Sequence, residues 1–412
     1  MSVSTKQLNS LNEKITEIAN DGGSFGVAVS GGSDSTALLN LLVPWADKNQ
    51  KKLFAVTVDH NLRSNSLEEA KFVKKLCVEY QVDHSILKIN DQVKGNLQSW
   101  ARENRYRLIS EWAYQKGIKS IFLGHTLDDQ AETFLLRLAR GSGIDGLSAM
   151  SSKSYRNGIY WLRPLLNISR KDLRIFLNDQ KISYVDDPSN EDFRFDRIKV
   201  RKVLATSQEY GLKTARLVET SHRMAQARDV LNHVAFQFAK NHVLQTKIGT
   251  VTVDLLELKS LFPDTRHRIL SYLVKWVSGN SYGARAKTLE QTMLSVLEGK
   301  SRTCCGCVLA NFDGKLHISR EFNAVKNSET SQSIWDGRWS CPATCNIKAC
   351  GEKGLKQLKD WKKFMLPRHA LLAMPTIWSE DKLLDHLLNE GQKSKIRSIK
   401  NDNDFYKGIL SY

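Results

Sequence analysis

The segment Ser30-Gly31-Gly32-Ser33-Asp34-Ser35 constrains this chain more than any other. It follows directly on a strand-like apolar run, residues 25–30 (FGVAVS), and opens a helical apolar stretch, residues 36–42. Glycines permit a tight turn there. Successive backbone N–H groups and the start of a helix favour an anion, and the serine hydroxyls add donors. The loop is a phosphate cradle, but no lysine follows the glycines as in a Walker A loop, and the GxGxxG order of a dinucleotide turn is absent. Three further strand-like runs follow: 53–58 (LFAVTV), 84–89 (HSILKI) and 120–124 (SIFLG), each leading through a polar turn into a segment of helical period. Strands that alternate with helices predict a Rossmann-like, mostly parallel sheet covered on both faces. Ligands of such sheets bind beyond the carboxyl ends of the strands, so the loops after these runs are where chemistry is expected.

At 412 residues the chain is long enough for about two or three folded units. The strand–helix pattern gives way near residue 200. We place a catalytic domain at 1–212, a mainly helical domain at 213–325 and a small α+β domain at 326–412. In the second domain Val230, Leu231, Val234, Phe236 and Phe238 are read as apolar helix positions, as are Leu270, Leu273, Val274 and Val277. A hairpin is expected around Asp313-Gly314. Residues 326–333 (KNSETSQS) read as a linker.

Net charge is +17, and it is uneven: residues 1–200 hold 28 basic and 24 acidic groups (+4), residues 201–412 hold 33 and 20 (+13). The basic excess makes nucleic acid the first partner to expect. No run approaches the ~18 apolar residues of a membrane span, and the first residues lack the layout of a signal peptide. A cytoplasmic protein without membrane attachment is expected. Of seven cysteines, six lie between 304 and 350 without framework spacing. Reduced thiols are the expectation. Zn2+ held by Cys304, Cys305, Cys307, Cys341, Cys345 and Cys350 is the alternative, although the usual repeated ligand spacing is missing.

Other constellations lie at strand ends. Residues 59–63 (DHNLR) follow the second strand, so His60 and Arg63 are candidates to face a nucleotide or substrate. Residues 124–132 (GHTLDDQAE) follow the fourth and enter a helix whose apolar stripe is Leu127, Ala131, Phe134, Leu135 and Leu138. Asp128, Asp129 and Glu132 on its flank suit Mg2+ or a cationic amine. Acidic residues also favour helix N-termini for capping alone. Arg102 and Arg105, three apart on one helix, serve either phosphate or the surface. Phe193, Arg194, Phe195, Arg197, Lys199 and Arg201 interleave aromatic and basic groups in a pattern that suits single-stranded RNA.

Together these residues resemble those of the tRNA(Ile)-lysidine synthetase family within the PP-loop ATP pyrophosphatases. The likeness runs through SGGSDS, DHNLR, ARENRY (101–106), GHTLDDQAETFLLRLARGSG (124–143), GLSAM (146–150), RPLL (163–166) with Ser169-Arg170, and DDPSN (186–190). The back half is similar more loosely, through Arg320-Glu321 and WDGRW (335–339). One segment departs: where the family has a pattern like FxRNRIR, this chain has Ile198 and Lys199 in place of Asn and Arg, and lysine cannot form a bidentate fork.

The resemblance implies an enzyme that uses ATP to activate the wobble cytidine of a CAU-anticodon tRNA(Ile) and then joins free L-lysine to it, with no obligate protein partner. It implies that Ser30, Gly31, Gly32, Ser33, Asp34 and Ser35 hold the pyrophosphate portion of ATP, with Asp34 helping to hold Mg2+. Asp129 and Glu132 are implied to pair with the amino groups of lysine. Arg105 and Arg197 are implied contacts for phosphate or tRNA. Competing readings are a sulfur-transferring enzyme of the same superfamily, a small-molecule amide synthetase, and an RNA-binding protein without catalysis. The first needs a reactive thiol, yet Cys77 is the sole cysteine in the first 300 residues, on the apolar side of an expected helix.

Overall fold

The structure, a computed structural model, describes residues 5–19, 22–59, 66–89, 97–186, 196–280, 283–328, 333–358, 360–389 and 393–410. The chain forms two compact units, residues 1–228 and 229–412. No described helix is long and apolar enough to cross a membrane.

The first unit is an α/β layer structure. Its strands are β1 (Ser24–Ala28), β2 (Lys52–Asp59), β3 (Asp83–Lys88), β4 (Ser120–Phe122), β5 (Lys153–Arg156) and β6 (Ile159–Leu162). They form one sheet in the order β3-β2-β1-β4-β6-β5. All neighbours run parallel except the edge strand β5, which pairs antiparallel with β6 from Lys153↔Leu162 to Arg156↔Ile159. The helices are α1 (Thr5–Ala19), α2 (Ser33–Lys48), α3 (Ser66–Glu79), α4 (Leu97–Gln115), α5 (Leu127–Ala139), α6 (Ile144–Leu147), α7 (Arg170–Asp179), α8 (Asp196–Ser207) and the start of α9 (Thr214–His242).

Central strands are apolar on both sides because helices cover both faces. One layer packs Phe25, Trp45 and Phe122 with ring centroids 5.5–5.8 Å apart. The other holds Ile109, Trp112, Ile121 and Trp161. Burying each large side chain contributes about 1.5–3 kcal/mol. Strand order reverses around β1, whose chain continues through α2 to β2 on one side while β4 lies on the other. The loops after β1 and β4 therefore open into the same crevice.

The second unit centres on a five-stranded antiparallel sheet, β7-β8-β11-β10-β9, where β7 is Val243–Gln245, β8 Val251–Asp254, β9 Arg302–Cys304, β10 Cys307–Phe312 and β11 Lys315–Arg320. The β10–β11 hairpin turns at Asp313-Gly314, as its sequence predicts. Helices α10 (Leu255–Ser260), α11 (Pro263–Ser278) and α12 (Ala286–Leu297) accompany it. Two small antiparallel sheets follow, one from Ile334–Trp335, Trp339–Ser340 and Arg397–Ser398, the other from Asn346–Ala349, Pro375–Ser379 and Lys382–His386.

Two details differ from the periodicity. Val230 and Val234 are exposed at 64% and 45%, because the buried stripe of α9 here is Asn232, Ala235 and Ala239. Small residues let the helix lie close to its neighbours, with Asn232 accepting from Arg268 (2.8 Å) and donating to the Leu410 carbonyl (3.3 Å). Leu138, read as part of the α5 stripe, is half exposed in the last turn of its helix, while Ala131 and Phe134 carry the burial.

Candidate active site

The phosphate loop is drawn tight by its own hydroxyls. Gly31 has φ +88°, a left-handed conformation that glycine adopts without strain. Its carbonyl accepts from the Val185 N–H (2.9 Å) and the Thr36 hydroxyl (3.1 Å). Ser35 Oγ lies 3.1 Å from Ser30 Oγ, accepts from the Ser30 N–H and donates to the Gly32 carbonyl. Gly32 caps α2 without a side-chain bond, so the first N–H groups of a 16-residue helix face the crevice. Gly124, after β4, approaches so closely that a Cβ would stand 3.0 Å from the Asp34 carbonyl. A side chain at 124 would push the two loops apart.

The acidic helix α5 starts with a capping box. Asp129 N–H bonds to Thr126 Oγ1, while Asp129 Oδ2 accepts from the Thr126 N–H (2.9 Å) and hydroxyl (3.0 Å). Asp128 accepts the Arg170 N–H at 2.7 Å and thereby helps cap α7. The capping explanation thus accounts for Asp128 and one oxygen of Asp129. It leaves Asp129 Oδ1 and the whole of Glu132, which is fully buried, for charge.

Four arginines meet these carboxylates or lie beside them. Arg170 reaches Asp34 (2.9 Å), Asp129 (3.4 Å) and Glu132 (3.6 Å). Arg197 lies 3.7 Å from Asp129, and Arg201 Nε donates to Glu132 Oε1 at 2.6 Å. Glu132 Oε2 is buried with no hydrogen-bond partner among the described residues. Arg105 is enclosed beside Arg102 and Arg197, with burial the main influence lowering its pKa. Among the described residues no carboxylate pairs with it.

Burial raises the Asp34 carboxyl, only partly offset by Arg170. Burial, then the Asp129 charge, raises Glu132 against the pull of Arg201 and Arg170. For Asp129 burial acts upward too, but the charge of His125 when protonated, then Arg170, Arg197 and the Thr126 N–H, draw it below the usual carboxylate range. His125, buried among Arg163, Arg105 and Arg197, is pushed down to about 3 despite Asp129, and is a neutral imidazole at neutral pH. Two carboxyl groups one helical turn apart are therefore driven in opposite directions, a common arrangement where one binds and the other exchanges a proton.

The structure brings the loop, Asp34, Asp129, Glu132, Arg105 and Arg197 into one crevice at the carboxyl ends of β1 and β4. His60 and Arg63 lie outside the described residues, as do residues 187–195 of the DDPSN and Phe193–Phe195 readings. Ile198, one of the departures, is buried, and Lys199 faces solvent 3.9 Å from Asp196. Cys77 packs in the core with its thiol pushed up to about 12 by burial, far from the reactive thiolate that sulfur transfer needs. The sequence reading assigned no role to Arg170, Arg163 or His125, and it read Arg201 as a group for RNA rather than as the partner of Glu132. His125 and Arg163 stand at the carboxyl ends of β4 and β6, a placement that marks both.

A family model described as a PP-loop domain matches residues 3–208. Curated relatives extend the match over nearly the whole chain. The tRNA(Ile)-lysidine synthase of Ruegeria pomeroyi is 36% identical over 398 residues, 94% of each chain. That of Wolbachia pipientis wMel is 33% identical over 374 residues, 87% of each. That of Orientia tsutsugamushi is 31% identical over 326 residues, 76% of this chain and 74% of the relative. With a PP-loop domain that uses ATP and relatives of this identity along its length, the chain belongs to the tRNA(Ile)-lysidine synthase family.

Proposed function

We propose that this protein joins free L-lysine to C2 of the cytidine at wobble position 34 of a CAU-anticodon tRNA(Ile), with ATP cleaved to AMP and pyrophosphate, so that the codon read changes from AUG to AUA. The observation that carries this reading is the meeting of a phosphate-binding loop with an unsaturated acidic pair, Asp129 and Glu132, in one crevice.

The cytosine O2 attacks the α-phosphorus and pyrophosphate departs from the loop formed by Ser30 to Ser35. The ε-amine of lysine then attacks C2, the C2–O2 bond breaks, and AMP leaves with that oxygen. Asp129, kept ionised, pairs with an ammonium group of lysine. Glu132, raised and with Oε2 free of hydrogen bonds among the described residues, takes the proton that the attacking nitrogen must lose. Arg105 and Arg197 stabilise charge on phosphate or hold the tRNA. The donor set at the loop suits Mg2+: Asp34 is a carboxylate beside the Ser33 hydroxyl (3.1 Å), and this ion is ordinarily held by one or two carboxylates with substrate phosphates. When bound there, it would neutralise charge on the departing phosphates.

The test is pyrophosphate release by the purified protein with lysine and Mg2+, with and without the tRNA, alongside the mass of the RNA. A lysine-sized gain that requires tRNA, and disappears in Asp34→Ala, is expected. Pyrophosphate release without RNA would point instead to a small-molecule synthetase. Salt-sensitive tRNA binding without turnover would point to a binding protein.

A further inference from the structure

Arg170 stands where the phosphate loop meets the acidic helix. Its guanidinium fans out so that each nitrogen faces a different carboxylate: Nε faces Asp34 at 2.9 Å, Nη2 faces Asp129 at 3.4 Å and Nη1 faces Glu132 at 3.6 Å. The backbone beneath it is fixed. Arg170 opens α7, its N–H bonds Asp128, and the Ile168 carbonyl accepts the Leu127 N–H at 3.0 Å. The side chain itself is long and 23% exposed, so it can turn while its Cα stays.

Without substrate the three acids of the crevice are each already answered by a guanidinium. Asp34, Asp129 and Glu132 face the guanidinium groups of Arg170, Arg197 and Arg201. Lysine brings two ammonium groups to a place where cations already sit, and ATP brings a run of negative charge to the loop. A guanidinium that leaves the acidic pair for the phosphates frees carboxylates for the ammonium groups and adds a cation beside the triphosphate, and Arg170 is the described side chain that touches both the loop and the pair.

We propose that Arg170 is a positioning residue that occupies the acidic pair in place of lysine when the site is empty, and that yields it to lysine by turning toward the triphosphate. The inference rests on the lysine-and-ATP reading above. It makes the two substrates reciprocal: each raises the affinity for the other, because each favours the same displacement of Arg170. Lysine at 170 would keep one charge but could not span three carboxylates.

The test is calorimetric titration of the full chain with L-lysine, with and without α,β-methylene-ATP. In the wild type the analogue should tighten lysine binding about five-fold or more, the lower end of ordinary coupling between sites. In Arg170→Met that factor should fall to about one, while lysine binding without nucleotide stays equal or becomes tighter, since the internal competitor is gone. A Met variant that binds lysine more weakly without nucleotide, or that keeps the wild-type factor, makes Arg170 a structural strut and overturns the inference. If that variant does not fold, Arg170→Lys serves: a reduced factor supports the inference and an unchanged one sinks it. Wild-type protein that binds no lysine under either condition defeats the functional reading itself, whereas lysine binding without coupling defeats only the role of Arg170.

Discussion

Among the described residues each compact unit holds a buried cluster of arginine and carboxylate, and the two are finished differently. In the second unit Asp336 is flanked by Arg320 and Arg338, all three largely buried. Both oxygens of Asp336 accept guanidinium donors, at 2.6–3.2 Å from Arg320 and 3.0 Å from Arg338. The arginines extend further to the carbonyls of Gly306 (2.9 Å) and Gly249 (3.2 Å). In the first unit Glu132 keeps an oxygen with no partner among the described residues, and Arg170 is stretched across three acids at mostly long distances. A cluster whose bonds are all made holds structure together. One whose bonds are incomplete has capacity left for a ligand, and burial makes that incompleteness costly enough to be informative.

The contrast is sharpest in a pair of conservative substitutions. Glu132→Gln should lower lysine transfer by a factor of about 100 or more, the scale of a lost general base, and cost less stability than the second substitution, because Arg201 and Arg170 stay partly exposed to water. Asp336→Asn should instead act mainly on stability. Leaving Arg320 and Arg338 buried without their counter-charge should cost about 3–5 kcal/mol of stability, read by denaturant unfolding of the full chain. If Glu132→Gln unfolds the protein while Asp336→Asn leaves its stability intact, the assignment of the two clusters is reversed.

Acid separates the two units next. His317, buried in β11 beside His369 and Lys315, is pushed down to about 4, first by burial. The unfolded chain then binds a proton that the folded one rejects between about pH 6.5 and 4. The contribution is complete above pH 6.5 and declines as pH falls through that window, by up to about 3 kcal/mol. His317→Gln should flatten this part of the melting profile. Glu132 gives activity an acid limb as well: with its pKa raised, lysine transfer should fall on the acid side at higher pH than an exposed glutamate would give, and Glu132→Gln should remove that limb. The smallest effect is expected at the surface. Lys353 and Asp381 pair at 3.1 Å but are both over three-quarters exposed, so Lys353→Met should change stability by less than about 0.5 kcal/mol.

Much of the first unit was legible before any coordinates. Its central strands are short apolar runs because both faces are covered, and the loop after β1 carries its chemistry in consecutive residues. Asp129 and Glu132 were legible for a related reason, since one turn of one helix holds both. Arg170 was not, because it meets Asp34 across 136 positions of sequence and nothing local marks the pairing. In the second unit, β7 and β8 are only three and four residues long, too short for alternation to distinguish them from the helical surroundings. Arg320 and Arg338 count toward the basic excess of the back half, whereas the fold turns them inward onto Asp336. Composition counts charges without saying which of them are already answered.

Cys77, sealed in the core of the first unit, gives that unit a clock of its own. A thiol with no exposed surface cannot meet an alkylating reagent until the sheet and helices around it separate, while Cys305 in the second unit is exposed and reacts at once. Pulsed alkylation followed by peptide mass spectrometry would then time the opening of the catalytic half inside the intact chain. Substrates that tighten the crevice should lengthen that time without altering the fast signal from Cys305.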